Sequence, residues 1–166
     1  MIPVNRPLIT NTDAKNVYLS VKNGWVSSGG PQVKMFEDKF KSFIGKKYAS
    51  TVANGTAALE IAIKVLDLKK NDEIIIPNFT IISSAIAVIK QNAIPVPVDC
   101  DLNTWNMKID LFEKAITKKT KAVIATHIYG YPIDMIKIKK ICKKKNIFLI
   151  EDAAEMIGHS FKNKKC

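Results

Sequence analysis

The chain has 166 residues, 47% of them hydrophobic, which is enough for the buried core of one domain. Its formal charge of +11 at pH 7 would suit an anionic partner, yet only Arg6 of the 26 basic residues is an arginine and the lysines are dispersed, so a nucleic-acid partner is disfavoured. The opening MIPVNRPLIT has no apolar signal segment, no run approaches the roughly 20 apolar residues of a membrane span, and Cys100, Cys142 and Cys166 show neither a disulfide framework nor zinc spacing; a cytoplasmic protein with reduced thiols and no membrane contact is expected.

In chain order, residues 12–21 and 33–44 predict two helices separated by the loop GWVSSGG (24–30). From residue 48 short apolar runs alternate with helix-period segments. A strand over 50–53 precedes a helix over 57–66, then come a strand at 73–77, a buried helix over 81–90, and IPVPV (94–98), whose prolines suit an edge strand. A short helix over 111–116, a strand over 121–126, an amphipathic helix over 133–145 ending in Lys143-Lys144-Lys145, and a strand over 147–150 complete the series. Such alternation predicts an α/β fold with a largely parallel sheet covered by helices. The tail SFKNKKC (160–166) predicts a strand entering a polar turn without its return strand, so the chain is expected to be the front part of a longer protein, with a helical segment at 1–47 and an α/β core at 48–166.

In open α/β sheets ligands bind outside the carboxyl ends of the strands. Those places here carry NGT (54–56), PNFT (77–80), DCD (99–101), HIYGYP (127–132) and EDAAE (151–155). Gly55 at a helix start lets the backbone approach a ligand, and the N–H groups of Thr56 and Ala57 with the Thr56 hydroxyl suit a phosphate; Thr56 equally suits a plain helix cap. Asp152 either caps a helix or meets a cation in a sheltered cleft, such as a protonated ring nitrogen. His127 and Tyr129 belong to the same rim, His127 either in the cleft or as a hydrogen-bonded structural residue. Trp25 and Trp105 read as packing anchors, and His159 carries no signal. No G-x-G-x-x-G follows the first strand, which disfavours a nicotinamide enzyme.

Together, GWVSSGG, FEDKF, VANGTAAL, DEIIIPNFT, PVPVDCDLNTWNM, AITKKTKAVIATHIYGYPIDM and IEDAAEMIGHSFKNKKC resemble, in order and spacing, the DegT/DnrJ/StrS family of PLP-dependent nucleotide-sugar aminotransferases, most of all its perosamine-forming branch. The resemblance implies a fold type I large domain, incomplete here, with pyridoxal 5'-phosphate as cofactor. It sets Gly55, Thr56 and Ala57 at the cofactor phosphate, Asp152 against the pyridine nitrogen, Ile81 on a ring face where relatives often carry an aromatic, and Glu155 near the phenolic oxygen where many carry Gln or His. Glu151 would be structural, and Ser27 and Ser28 would approach the substrate. The implied reaction moves an amino group from glutamate to a 4-keto-6-deoxy nucleotide sugar for surface polysaccharide, in a homodimer. The family's Schiff-base lysine falls beyond Cys166, so this chain holds no catalytic residue, Lys164 and Lys165 are not substitutes, and the chain by itself is expected to be inactive. Two alternatives stand beside this one: a PLP-dependent sugar 3-dehydratase, in which histidine replaces the lysine, and a non-enzymatic PLP-fold binding or regulatory protein.

Overall fold

The computed structural model describes every residue except Val4, Asn5, Asn163 and Cys166, with Lys164 described through its backbone. The chain divides into two compact units, Met1–Thr51 and Val52–Cys166.

In the first unit, α1 (Asn11–Lys22) opens with a capping box: the Thr10 hydroxyl accepts from Asp13 N–H and the Asp13 carboxylate accepts from Thr10 N–H at 2.8 Å. Those Thr10 hydrogen bonds, the hydroxyl's first, hold the Asp13 carboxyl below the usual carboxylate range. α2 (Pro31–Phe43) starts with proline, whose missing N–H costs nothing in a first turn, and is followed by Gly45 at φ 64°. Gly30 precedes it under the Trp25 ring; a Cβ there would lie 3.3 Å from that of Trp25 and 2.8 Å from Gln32 Oε1, so only glycine fits without displacement.

The second unit carries α3 (Gly55–Lys64), β1 (Glu73–Pro77), α4 (Ser83–Ile89), β2 (Ile94–Val98), α5 (Ile109–Ala115), β3 (Thr120–Thr126), α6 (Met135–Lys145) and β4 (Phe148–Asp152), then a short hairpin of β5 (Ser160–Phe161) and β6 (Lys164–Lys165). Four strands form a parallel sheet in the order β2-β1-β3-β4. Successive side chains point to opposite faces, and each face has its own core. Ile75, Val123 and Ala125 pack with Phe112 of α5 and Ile138 and Cys142 of α6. On the other face Ile74, Ile76, Ala122 and Ile124 pack with Leu59 and Ile63 of α3 and Ala87 and Val88 of α4. Burial on both faces is why β1 and β3 read as unbroken apolar runs.

The proline-bearing β2 is an edge strand, as its sequence predicts. Ile94 N–H donates to Asp72 C=O at 2.8 Å, so the even-numbered residues face β1 and Pro95 and Pro97 face outward, where no ladder donor is needed.

Three expectations change. Residues 50–53 form no strand, because the Thr51 N–H and hydroxyl go to Glu37 Oε1 at 2.8 and 3.0 Å instead of to a ladder. α4 is half-buried, not buried: Ser84, Ala87 and Val88 face inward while Ile82, Ile86 and Ile89 are exposed. The return strand expected to be missing from the tail is present as β6, paired antiparallel with β5. Among the described residues no helix is long and apolar enough to cross a membrane.

Phe112 is fully buried between α5 and the sheet. Phe112→Ala is therefore expected to lower the unfolding free energy by about 3–5 kcal/mol, read from the urea midpoint. Burial pushes the Cys142 thiol up to about 11. At pH 8 Cys142 should stay unlabelled by a maleimide while the half-buried Cys100 reacts, and should label once urea unfolds the chain.

Candidate functional site

The sheet's direction of travel reverses at β1. From β1 the chain steps through α4 to β2, then crosses back over the opposite face through α5 to β3 on the other side of β1. The loops after β1 and β3 consequently diverge to opposite faces, and a crevice opens between them at the carboxyl ends. A cleft of about 390 Å³ lies there, walled by Phe79, Thr80 and Ile81 after β1, by Thr126, Ile128 and Tyr129 at the end of β3, and by Asp152, Ala154 and Glu155 at the end of β4.

Register decides which acid enters it. Asp152 pairs with Thr126 and Glu151 with Ala125. The odd-numbered positions of β4 share the α6 face with Val123 and Ala125, the even-numbered ones the α4 face with Ile124. Asp152 borders the cleft, its Oδ1 accepting from Ala154 N–H at 3.2 Å. Glu151 turns the other way, with Oε1 3.2 Å from His127 Nε2 and Oε2 3.8 Å from Lys139 Nζ. Ile133 N–H donates to His127 Nδ1 at 3.1 Å, so the ring proton sits on Nε2 and is donated to Glu151. His127 is fully buried and takes the hydrogen-bonded structural role of its two readings.

Thr80 and Thr126 border the cleft, and their buried hydroxyl oxygens have no hydrogen-bond partner among the described residues. Buried hydroxyls are ordinarily satisfied. Among the described residues no lysine or arginine forms part of the wall, which holds the carboxylates of Asp152 and Glu155. A cleft with carboxylates and orphaned hydroxyls suits a ligand that brings a cation and hydrogen-bonding groups of its own. A protonated pyridine ring meets that description.

At α3, Asn54 is the N-cap, its Oδ1 accepting from Ala57 N–H at 2.9 Å, so Thr56 is not the cap. The Thr56 hydroxyl shares a 2.8 Å hydrogen bond with Ser83 Oγ, which ties the start of α3 to the start of α4, two residues after Ile81. The N–H groups of Gly55 and Thr56 have no partner among the described residues and stand at the positive end of the helix. Ser27 and Ser28 lie in the exposed loop between α1 and α2, where Gly29 N–H points at Ser27 Oγ at 3.5 Å.

Asn106 is a buried residue that sequence reasoning missed. Its Oδ1 accepts from Ile128 N–H at 3.0 Å and its Nδ2 donates to Tyr131 C=O at 2.9 Å, so one side chain brackets the loop after β3. Glu155 Oε2 accepts from Tyr129 N–H in the same loop. An asparagine in a polar turn carries no periodic signal; only its place beside Trp105 in DLNTWNM marks it. A larger groove, about 830 Å³, runs along α5, α6 and the turns that precede them; its charged walls are lysines and acids, and neither Thr80 nor Thr126 lines it.

Comparison with known proteins agrees with this geometry. The profile of the DegT/DnrJ/EryC1/StrS aminotransferase family matches residues 7–166. GDP-perosamine synthase of Escherichia coli O157:H7 is 40% identical over 98% of the chain and 45% of its own length. That of Vibrio cholerae is 37% identical over 99% of the chain and 45% of its length. The chain thus spans less than half the length of the curated relatives it matches. Among solved structures, an aminotransferase of Psychrobacter cryohalolentis is 31% identical with a TM-score of 0.88 over 96% of this chain and 40% of its own. The Escherichia coli GDP-4-keto-6-deoxy-D-mannose-3-dehydratase, solved with bound hydrated PLP, is 29% identical with a TM-score of 0.92 over 99% of this chain and 43% of its own. A parallel sheet that reverses at β1, a cleft holding Asp152 at that reversal, and a family match running from residue 7 to residue 166 lead to one conclusion: the chain belongs to the DegT/DnrJ/EryC1/StrS aminotransferase family.

Proposed function

We propose that this chain forms the cofactor-holding part of a PLP-dependent enzyme that takes an amino group from glutamate and transfers it to a 4-keto-6-deoxy nucleotide sugar for surface polysaccharide, in the cytoplasm and as a homodimer. The observation that carries the reading is the carboxylate of Asp152 at the β4 end of a cleft that, among the described residues, has two orphaned hydroxyls and no lysine or arginine. The similarity to GDP-perosamine synthases supports the sugar-nucleotide class.

In this reading the Gly55 and Thr56 N–H groups and the Thr56 hydroxyl take the cofactor phosphate, with the helix dipole favouring its charge. Ala57 joins them only if Asn54 Oδ1 releases its N–H. Asp152 keeps a proton on the ring nitrogen. Ile81, two-thirds exposed in the open cleft, covers one ring face and excludes water, without the stacking an aromatic would add. Glu155 stands near the phenolic oxygen while its Oε2 holds the loop of Tyr129. The cofactor itself supplies an electron sink for the carbanion left when a Cα proton departs. Ser27 and Ser28 contact the substrate. In this reading the lysine that carries the cofactor is not among residues 1–166. The likeness to a sugar 3-dehydratase favours a second reading, which differs by a histidine at that lysine's place.

Two substitutions test the assignment in the protein expressed from its natural reading frame. Asp152→Asn is expected to retain PLP, followed by absorbance, while transamination falls at least ~100-fold; near-normal turnover would remove Asp152 from the ring nitrogen. A Cβ at Gly55 meets nothing within 4 Å. Gly55→Ala should therefore leave stability unchanged or raise it by about 0.4–1 kcal/mol, yet weaken PLP binding by about tenfold. Unaltered PLP affinity in that variant would show that no phosphate rests against this backbone.

A further inference from the structure

Three aromatic side chains from three different loops meet beside the cleft; Phe79 and Tyr129 belong to its wall, and Trp105 packs against Phe79. The ring of Phe79, after β1, lies 5.1 Å from that of Trp105, after β2, and 6.2 Å from that of Tyr129, after β3, with interplanar angles of 44° and 70°. Among the described residues they are 37%, 47% and 77% exposed.

Two of the three occupy backbone conformations that bulky residues avoid. Trp105 has φ 60° and Tyr129 φ 49°. Such conformations persist where the surroundings impose them. Here Trp105 N–H donates to Asp101 C=O at 2.7 Å, Asn106 brackets the loop of Tyr129 from both ends, and Glu155 receives the Tyr129 N–H. Four hydrogen bonds are thus committed to holding these two residues in left-handed backbone.

The chemistry of the wall selects its ligand. Phe79 and Tyr129 border the same cleft as Asp152 and Glu155, whose carboxylates repel an anion, and among the described residues the wall offers no lysine or arginine. With the ligand's cation taken up by Asp152 in the proposed function, the group left for these rings is a neutral one with an apolar face. The C–H face of a pyranose fits, since its weakly positive hydrogens meet the negative π-face of an aromatic ring. A 6-deoxy sugar, with a methyl in place of a hydroxymethyl group, fits better still. We propose that Phe79, Trp105 and Tyr129 form the wall on which the deoxy-sugar ring of the nucleotide-linked substrate stacks, beside the position that Asp152 gives the cofactor. This inference rests on the proposed function and adds to it the residues that recognise the sugar.

The test compares GDP-D-rhamnose, a 6-deoxyhexose nucleotide without a keto group, with GDP alone, by calorimetry on the protein expressed from its natural reading frame. The variants are Phe79→Leu, which keeps the apolar volume, and Tyr129→Asn, which removes a ring while tolerating left-handed backbone. Wild type is expected to bind GDP-D-rhamnose about tenfold more tightly than GDP, and the ratio should fall toward one in both variants with unchanged circular dichroism. A ratio of one in wild type, or an unchanged ratio in both variants, overturns the wall. A loss shared equally by GDP and GDP-D-rhamnose would assign the rings to the nucleobase and overturn it as well. PLP titrated in parallel judges the cofactor reading alone: its failure to bind wild type would defeat that reading, whereas the sugar ratio stands or falls by itself.

Discussion

The reversal of the chain at β1 is the constraint from which the site follows. A strand followed by a crossover to one side and then a crossover to the other must send its neighbouring loops to opposite faces of the sheet. β1 and β3 are also the strands buried on both faces, with Ile74, Ile75 and Ala122 through Ala125 almost wholly inaccessible. The crevice is therefore bounded by strands buried on both faces. Residues at its rim inherit positions set by two packed cores, and this is why a carboxylate, unpaired hydroxyls and strained aromatic residues can all be kept there.

Glu151 and Asp152 show how fine that inheritance is. Neighbours in sequence and alike in charge, they are separated by the pleat: one belongs to the α6 layer with His127 and Lys139, the other to the cleft with Thr126. A slip of one residue between β3 and β4 would exchange them. The hydrogen bonds around His127 oppose such a slip, since the imidazole joins Glu151 of β4 to the Ile133 amide ahead of α6. What looks like an acidic dipeptide is two devices, an anchor and a functional group.

Much of this architecture is legible in the residues. The alternation of apolar runs with helical periods places every strand of the sheet, and the prolines of β2 mark it as an edge. Strand order is not legible, because strands buried on both faces look alike whatever their neighbours. The apolar signal at 50–53 misleads for a physical reason: whether a short run becomes a strand depends on a partner, and the Glu37 side chain takes the Thr51 amide first. In the site, Asp152, Tyr129 and Glu155 can be picked out from their places after strands and Ile81 only through the resemblance, and the four do share one cleft. Asn106 and the Thr80 and Thr126 hydroxyls cannot. Their significance lies in a partner made or lacking across 20 or more residues of chain, which no local pattern encodes.

Pro95 and Pro97 also bear on how the sheet can grow. Their outward side offers carbonyls without amide hydrogens, so a strand arriving at β2 would find acceptors but no donors and could complete only half a ladder. β4, by contrast, has a full set of peptide groups along its outer edge, and Phe148 beside it is largely exposed. The sheet is consequently directional: any further strand, from the same polypeptide or another, has a receptive margin at β4 and a blunted one at β2. Association by strand addition is steered to the margin that carries the acidic pair.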